Sequence, residues 1–211
     1  MPQASDPGAA FDPLRQVGSP AGKIVAALER VSQAFRVLLC QQAGSEGLSP
    51  IQVQLLLFIR FHLPRYCTVS YLAREFGLTK ATVSDSVKVL AAKGFVSRQI
   101  QPGDGRSRIL ALTETGNELA EKVSDFAVPL SGPVSTLPAP QQEALLQSLL
   151  TVIGGLTQTG IIRAPRMCFS CRFHSQDAGR YYCQLLGEAF LPEQLRLDCS
   201  EHQEKVDNSS E

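Results

Sequence analysis

Residues 78–119 read LTKATVSDSVKVLAAKGFVSRQIQPGDGRSRILALTETGNEL, and the parsing of this stretch decides the fold. At 100° per residue, Val83, Val87 and Leu90 fall in one narrow arc, while Ala81, Thr82, Ser84, Asp85 and Lys88 fall on the far side. This predicts a helix with an apolar inner edge, a small polar outer face and Thr79 as its N-cap. After Gly94, alternation on either side of PGDG predicts a β-hairpin whose glycine-rich tip carries Arg106 and Arg108.

Working outward, TVSYLAREFG (68–77) predicts a shorter helix capped by Thr68 or Ser70 and separated from the next by Gly77 and Leu78, which is helix-turn-helix spacing. Ser49 and Pro50 open a further helix, PIQVQLLLFIRFH, that stops before Pro64. Upstream, Ile24, Leu28, Val31, Phe35 and Leu38 recur at helical spacing to about Gln42. Cys40 lies in that helix and reads as a small buried hydrophobe, and residues 1–20, rich in Pro, Gly, Ala and Ser, read as a mobile arm. Downstream, 114–130 and 138–156 predict two more helices with a Pro/Gly-rich break between them. The fold class expected is mainly α with a small β wing (α+β): 21–162 as a winged helix-turn-helix with a helical dimerisation region, and 163–211 as a small cysteine-rich extension.

The outer face of the 79–92 helix suits a DNA major groove, where short hydroxyls and a few long polar side chains approach base edges. A solvated face has the same composition, so the adjacent basic hairpin tilts the reading toward DNA: Arg106 and Arg108 at a protruding tip can reach phosphates or a narrow minor groove.

The TVS entry to this helix, LAAKGFVSR leading into the first wing strand, the D-x-R wing pattern at Asp104 and Arg106, and the closing LTETG together resemble the MarR family of winged-helix transcriptional regulators. The resemblance spans about residues 20–162 and is strongest from Ser49 to Gly116. It implies that Thr79, Lys80, Thr82, Ser84, Asp85 and Lys88 lie at the major groove, that Asp104 holds the wing in shape by pairing with a nearby arginine, and that Arg106 enters the minor groove. It also implies a homodimer, built by the first helix and the last two, on a near-palindromic site in double-stranded DNA. Two departures stand out. Gly105 occupies a position where many members carry a first wing arginine, and Asp85 one where a basic residue is common; a carboxylate there repels phosphate but can accept from a cytosine amino group.

Charge is distributed to match. The chain of 211 residues has a formal net charge of +0, yet Ser49–Thr113 holds nine Lys or Arg against three acids, a balance of +6, and the stretch from Arg163 onward is acidic by two. No basic region followed by an apolar run opens the sequence, and no membrane span is present, so the expected location is cytoplasmic with no membrane partner. The sequence has no Gly-rich phosphate loop, G-x-S-x-G, H-E-x-x-H or C-x3-C-x2-C, which argues against an enzyme.

Four of the six cysteines lie in the last stretch, as Cys168-x2-Cys171-x11-Cys183-x15-Cys199. In a reducing compartment such a cluster points to metal or redox chemistry before structural disulfides. Only the first pair has the knuckle spacing of a zinc ribbon, and aromatic and apolar neighbours (Phe169, Phe173, Tyr181, Tyr182, Leu185, Leu186) suit a shielded group, which favours an iron-sulfur cluster, of the 4Fe-4S type, over zinc, with a thiol switch as a further alternative. His174 and His202, each three residues after a cysteine, read as supporting or solvated groups before ligands. Cys67 reads as a buried, strand-like position. The function expected is a DNA-binding regulator whose affinity follows the state of this centre; the alternative keeps the regulator, with a zinc staple and a small-molecule effector.

Overall fold

The computed structural model describes residues 10–101, 104–163, 166–177, 180–191 and 194–205, with side chains described outside 101–107. Eight α-helices precede a small three-stranded sheet among them: α1 Pro13–Gln16, α2 Pro20–Ser45, α3 Pro50–Phe61, α4 Val69–Glu75, α5 Lys80–Ala92, then strands β1 Val96–Gln101 and β2 Asp104–Leu112, followed by α6 Glu114–Val123, α7 Val128–Ser135 and α8 Ala139–Gln158. The tail adds β3 His174–Asp177, β4 Arg180–Cys183 and β5 Glu188–Phe190.

Local chemistry sets the helix starts. Ser19, Thr68, Thr79 and Thr113 each accept from a backbone N–H of the first turn. At α3 the Gln52 side chain accepts from the Ser49 N–H at 2.9 Å, and Pro50 occupies a position whose missing donor costs nothing. Gly77, at φ +62°, makes the turn between α4 and α5, a conformation that an L side chain adopts only under strain.

The core gathers around α3. Val53, Leu55 and Leu56 are fully buried and pack with Leu72 of α4, Val83, Val87 and Leu90 of α5, Val96 of β1, Leu110 of β2 and Ala120 and Val123 of α6. Strands β1 and β2 pair antiparallel from Val96↔Leu112 to Ile100↔Arg108, after which the register shifts before Gln101 meets Asp104. The hairpin is anchored beneath α6 by Gly116, where a Cβ would stand 1.9 Å from the Phe95 carbonyl oxygen, so the glycine of LTETG is a close-approach residue.

Two expectations are corrected. Cys40 is exposed on α2, because the inward face of that helix falls on Leu39 and Ala43. The Pro/Gly-rich break after α6 is largely helical: α7 runs through it with Pro133 inside, and the chain opens only between Thr136 and Pro138. Of the expected arm, residues 1–9 lie outside the described residues, and the rest includes one turn of helix, α1, capped by the Asp12 carboxylate. Cys67 is buried as expected, and its carbonyl accepts from the Leu110 N–H at 2.7 Å, so it behaves as a short extension of the wing sheet.

Much of α2 and α8 presents apolar side chains outward: Ile24, Val25, Val31 and Val37 on one, Leu145 and Val152 on the other. None of the helices among the described residues is long and apolar enough to cross a membrane.

Candidate nucleic-acid interface and cysteine cavity

The recognition surface is built by the placement of α5. With Val83, Val87 and Leu90 at zero exposure, the opposite face must look outward, and Thr79, Lys80, Thr82, Asp85 and Lys88 are exposed, with Ser84 half-buried. The Thr79 hydroxyl accepts from the Thr82 N–H at 3.1 Å and lies 2.8 Å from the Thr82 hydroxyl, so both are held at the helix entry. Lys88 Nζ donates to Asp85 Oδ1 at 2.8 Å. The unusual carboxylate is thus matched within one turn by a lysine, both groups standing in water, where the pair contributes little to stability.

Arg108 is exposed on β2 opposite Ile100. Asp104 and Arg106 also fall on β2, but their side chains lie outside the described ones, and so does the expected pairing of Asp104 with an arginine.

The tail wraps a second site. The Cys168 sulfur accepts from the Arg196 N–H at 3.3 Å, the Cys168 N–H donates to the Arg196 carbonyl at 3.1 Å, and the Cys199 N–H donates to the Arg166 carbonyl at 2.8 Å. Strand β4 pairs with β3 through His174↔Cys183, and Cys171 bridges Glu204. These ties bring Cys168, Cys171, Cys183 and Cys199 around one cavity of about 30 Å³, lined also by Phe173, Leu185, Leu186 and Phe190, with Arg196 and Glu201 as its charged members.

All four thiols are free of disulfides. Burial pushes the Cys168 thiol above its ordinary range, a backbone hydrogen bond from Arg196 pulls it down, and the other three thiols push it up again. A bound cation relieves this opposition at Cys168. Among the described residues, no three His, Cys, Asp or Glu side chains sit closely enough to hold a metal ion as they stand.

His174 belongs to this wall. Its ring stacks against Tyr181, meets Phe169 edge-on, and its Nε2 is buried with no hydrogen-bond partner. Burial and then the Lys205 charge lower its basicity. His202 stands apart from the cavity, buried, with a ring nitrogen 2.9 Å from the Ser170 hydroxyl. The two histidines, equivalent by spacing, differ in role: one faces the cysteines, the other pins the loop that carries two of them.

What sequence reasoning missed is the way the tail attaches. Arg166, 5% exposed, reaches the end of α3 and the side of α4. Its Nε donates to Asp198 Oδ1 at 2.8 Å, Nη1 to the Tyr71 hydroxyl at 2.7 Å and Glu75 Oε2 at 3.0 Å, and Nη2 to Asp198 Oδ2 at 2.9 Å, with His62 Nε2 also 2.9 Å from Nη2. Phe58 and Tyr66 present their faces to it, with centroids 5.0 and 5.4 Å away. Burial opposes the charge on Arg166, and the hydrogen bonds to Asp198, Glu75 and Tyr71 outweigh it, holding the guanidinium above its ordinary value. Burial likewise works against the Asp198 carboxylate, yet His62 and Arg166 hold it at about 2. Arg65 adds a bond from Nη2 to the Ser200 carbonyl at 2.9 Å. These contacts run from the tail to the α3–α4 region. Cys67, whose thiol burial pushes up to about 11, faces backbone carbonyls and is no fifth thiolate.

A buried α3, a helix-turn-helix with its polar second helix outward, and an antiparallel hairpin beside it define a winged helix-turn-helix protein. Residues 46–107 match the MarR family model. Its fold is similar to that of the Staphylococcus aureus MepR–DNA complex, at 22% identity over 62% of this chain and 96% of that one, with a TM-score of 0.53. It is similar also to a MepR variant from a multidrug-resistant S. aureus clinical isolate, at 20% identity over 62% of this chain and 95% of that one, with a TM-score of 0.51. No curated protein sequence matches the chain. The cysteine-bearing tail, from Arg166 onward, lies outside the residues that the family model covers.

Proposed function

We propose that this chain is a cytoplasmic, homodimeric, sequence-specific DNA-binding transcriptional regulator, whose affinity for a near-palindromic double-stranded operator is set by a metal centre at Cys168, Cys171, Cys183 and Cys199. The observation that carries the DNA reading is the exposed polar face of α5 beside a wing, in a fold similar to one crystallised as a DNA complex. Thr79, Lys80, Thr82, Ser84, Asp85 and Lys88 are the major-groove set, Asp104 shapes the wing, and Arg106 and Arg108 reach the minor groove or phosphates. The outward apolar residues of α2 and α8 support the homodimer, since a monomer rarely leaves so much apolar surface wet.

The residues of the cavity fit an iron-sulfur cluster of the 4Fe-4S type. Four cysteines lining one void, with Phe173, Leu185, Leu186 and Phe190 beside them, support a group shielded from water with one thiolate per iron. The orphaned His174 Nε2 supplies a donor that such sulfur-rich groups accept from. The four cysteines hold the cluster, the aromatic and leucine wall excludes water, and the cluster supplies sensitivity to oxidants and to iron supply. Zinc in the same residues, with a small-molecule effector elsewhere, is the second reading; it draws on the C-x2-C pair at Cys168 and Cys171.

The deciding experiment is anaerobic purification with iron, sulfide and zinc analysis, followed by selection of bound duplexes from a randomised DNA pool. Brown protein with iron and sulfide supports the cluster. Colourless protein with one zinc per chain overturns it, and failure to enrich any duplex overturns the DNA reading.

A further inference from the structure

We propose that Arg166 is the positioning residue that couples the four-cysteine centre to the helix-turn-helix. This rests on the metal reading of the cavity given above.

The coupling follows from where the tail's ligands sit in the chain. Arg166 precedes Cys168 by one intervening residue, and Asp198 immediately precedes Cys199. Segments 166–168 and 196–199 lie side by side, joined by two backbone hydrogen bonds and the Arg196 N–H on the Cys168 sulfur. A centre that binds both Cys168 and Cys199 clamps these segments together. The same two segments present Arg166 and Asp198 to each other and, through the guanidinium, to His62, Tyr71 and Glu75.

A guanidinium is a rigid planar fork whose donors point in fixed directions. It can satisfy Asp198 on one side and the α4 groups on the other only while the two tail segments keep their spacing. When the clamp is lost, the segments are held by little more than those few bonds, and a slide of one past the other must either leave Asp198 or Glu75 without its partner or draw α4 along. The first leaves the buried Arg166 guanidinium short of a carboxylate partner, which is disfavoured because Arg166, unlike the half-exposed Asp198, has almost no access to water. Helix α4 leads through Gly77 into the N-cap Thr79, and the Leu78 N–H donates to the Ala73 carbonyl at 2.8 Å, so a displaced α4 re-aims the entry of α5. The centre thereby acts on the DNA-reading helix of its own protomer, through a physically continuous set of contacts.

The test uses the full chain, reconstituted anaerobically with ferrous iron and sulfide or stripped with a chelator, and a duplex the protein itself selects from a random pool. The variant is Tyr71→Phe with Glu75→Met, which removes both hydrogen-bond acceptors on α4 and leaves Arg166 on Asp198. Wild type is expected to change its DNA affinity at least tenfold between the loaded and stripped states, and to show faster amide exchange in α4 when stripped. The double variant is expected to load the same iron and sulfide per chain, to change affinity less than twofold, and to show α4 exchange independent of loading. Arg166→Lys, which keeps the charge and removes the fork, should behave in the same way, and serves if the double variant does not fold. Full loading with a wild-type affinity ratio in these variants overturns the coupling while leaving the metal reading intact. A wild-type protein whose affinity is the same loaded and stripped overturns the regulatory reading itself, and the coupling with it.

Discussion

The Arg166 guanidinium grips both carboxylate oxygens of Asp198, Nε to Oδ1 at 2.8 Å and Nη2 to Oδ2 at 2.9 Å, across 32 residues of chain. The pair is a bidentate fork with three further polar partners, His62, Tyr71 and Glu75, and it fastens the tail to the winged helix right beside Cys168 and Cys199 in the chain. Arg166→Met should therefore cost about 2–4 kcal/mol, less than for a fully enclosed pair because Asp198 is 46% exposed. Urea unfolding followed by circular dichroism measures it; a loss under about 0.5 kcal/mol, the range of ordinary surface changes, would show the network to be ornamental.

Gly116 meets the Phe95 carbonyl oxygen so closely that no side chain fits. Gly116→Ala pushes α6 off the base of the wing and should destabilise the fold by about 1–3 kcal/mol, despite alanine's better helix propensity. The signature is a lowered unfolding midpoint with weaker DNA binding, since the same shift tilts the hairpin.

Asp85 and Lys88 balance each other on the exposed face of α5. Asp85→Asn frees the lysine and removes a repulsion, so non-specific DNA affinity should rise while discrimination between selected and random duplexes falls. Lys88→Ala and Arg106→Ala should each weaken binding and flatten the slope of log affinity against log salt by about 1, the signature of a lost phosphate contact. Unchanged slopes in titrations from 50 to 300 mM salt, roughly the range where counterion release dominates, would remove these residues from the interface.

Cys183 lines the cavity and Cys67 does not. Cys183→Ser should abolish stoichiometric metal. Cys40→Ser and Cys67→Ser should leave metal content unchanged, although the second costs stability because it buries a hydroxyl in an apolar site. Metal analysis of the three purified variants separates a four-thiolate centre from general thiol loading.

Val31 on α2 is 58% exposed in the single chain, within a row that includes Ile24 and Val25. Val31→Asp should convert a dimer to a folded monomer in sedimentation runs, with its circular dichroism retained and its affinity for the selected duplex lost by more than tenfold, because two linked half-sites bind far more tightly than one.

The sequence by itself determined the parts whose physics is local. The Val83, Val87 and Leu90 arc, the threonine caps, Gly77 between two short helices and the alternation around PGDG are all set within a few residues of one another, and each element formed where it was expected. Four cysteines in one short tail were enough to suggest a common centre, though not that a void and His174 accompany them. Tertiary structure alone decided which of Cys40 and Cys67 is buried, because both sit among apolar neighbours and only the packing of α2 on the core separates them. It alone decided the role of Arg166. An arginine flanked by a proline and a methionine carries no periodic signal, and its partners His62, Tyr71, Glu75 and Asp198 lie up to about 100 residues away; burial of a charge is worth its desolvation only when all of them arrive together, which no local pattern encodes.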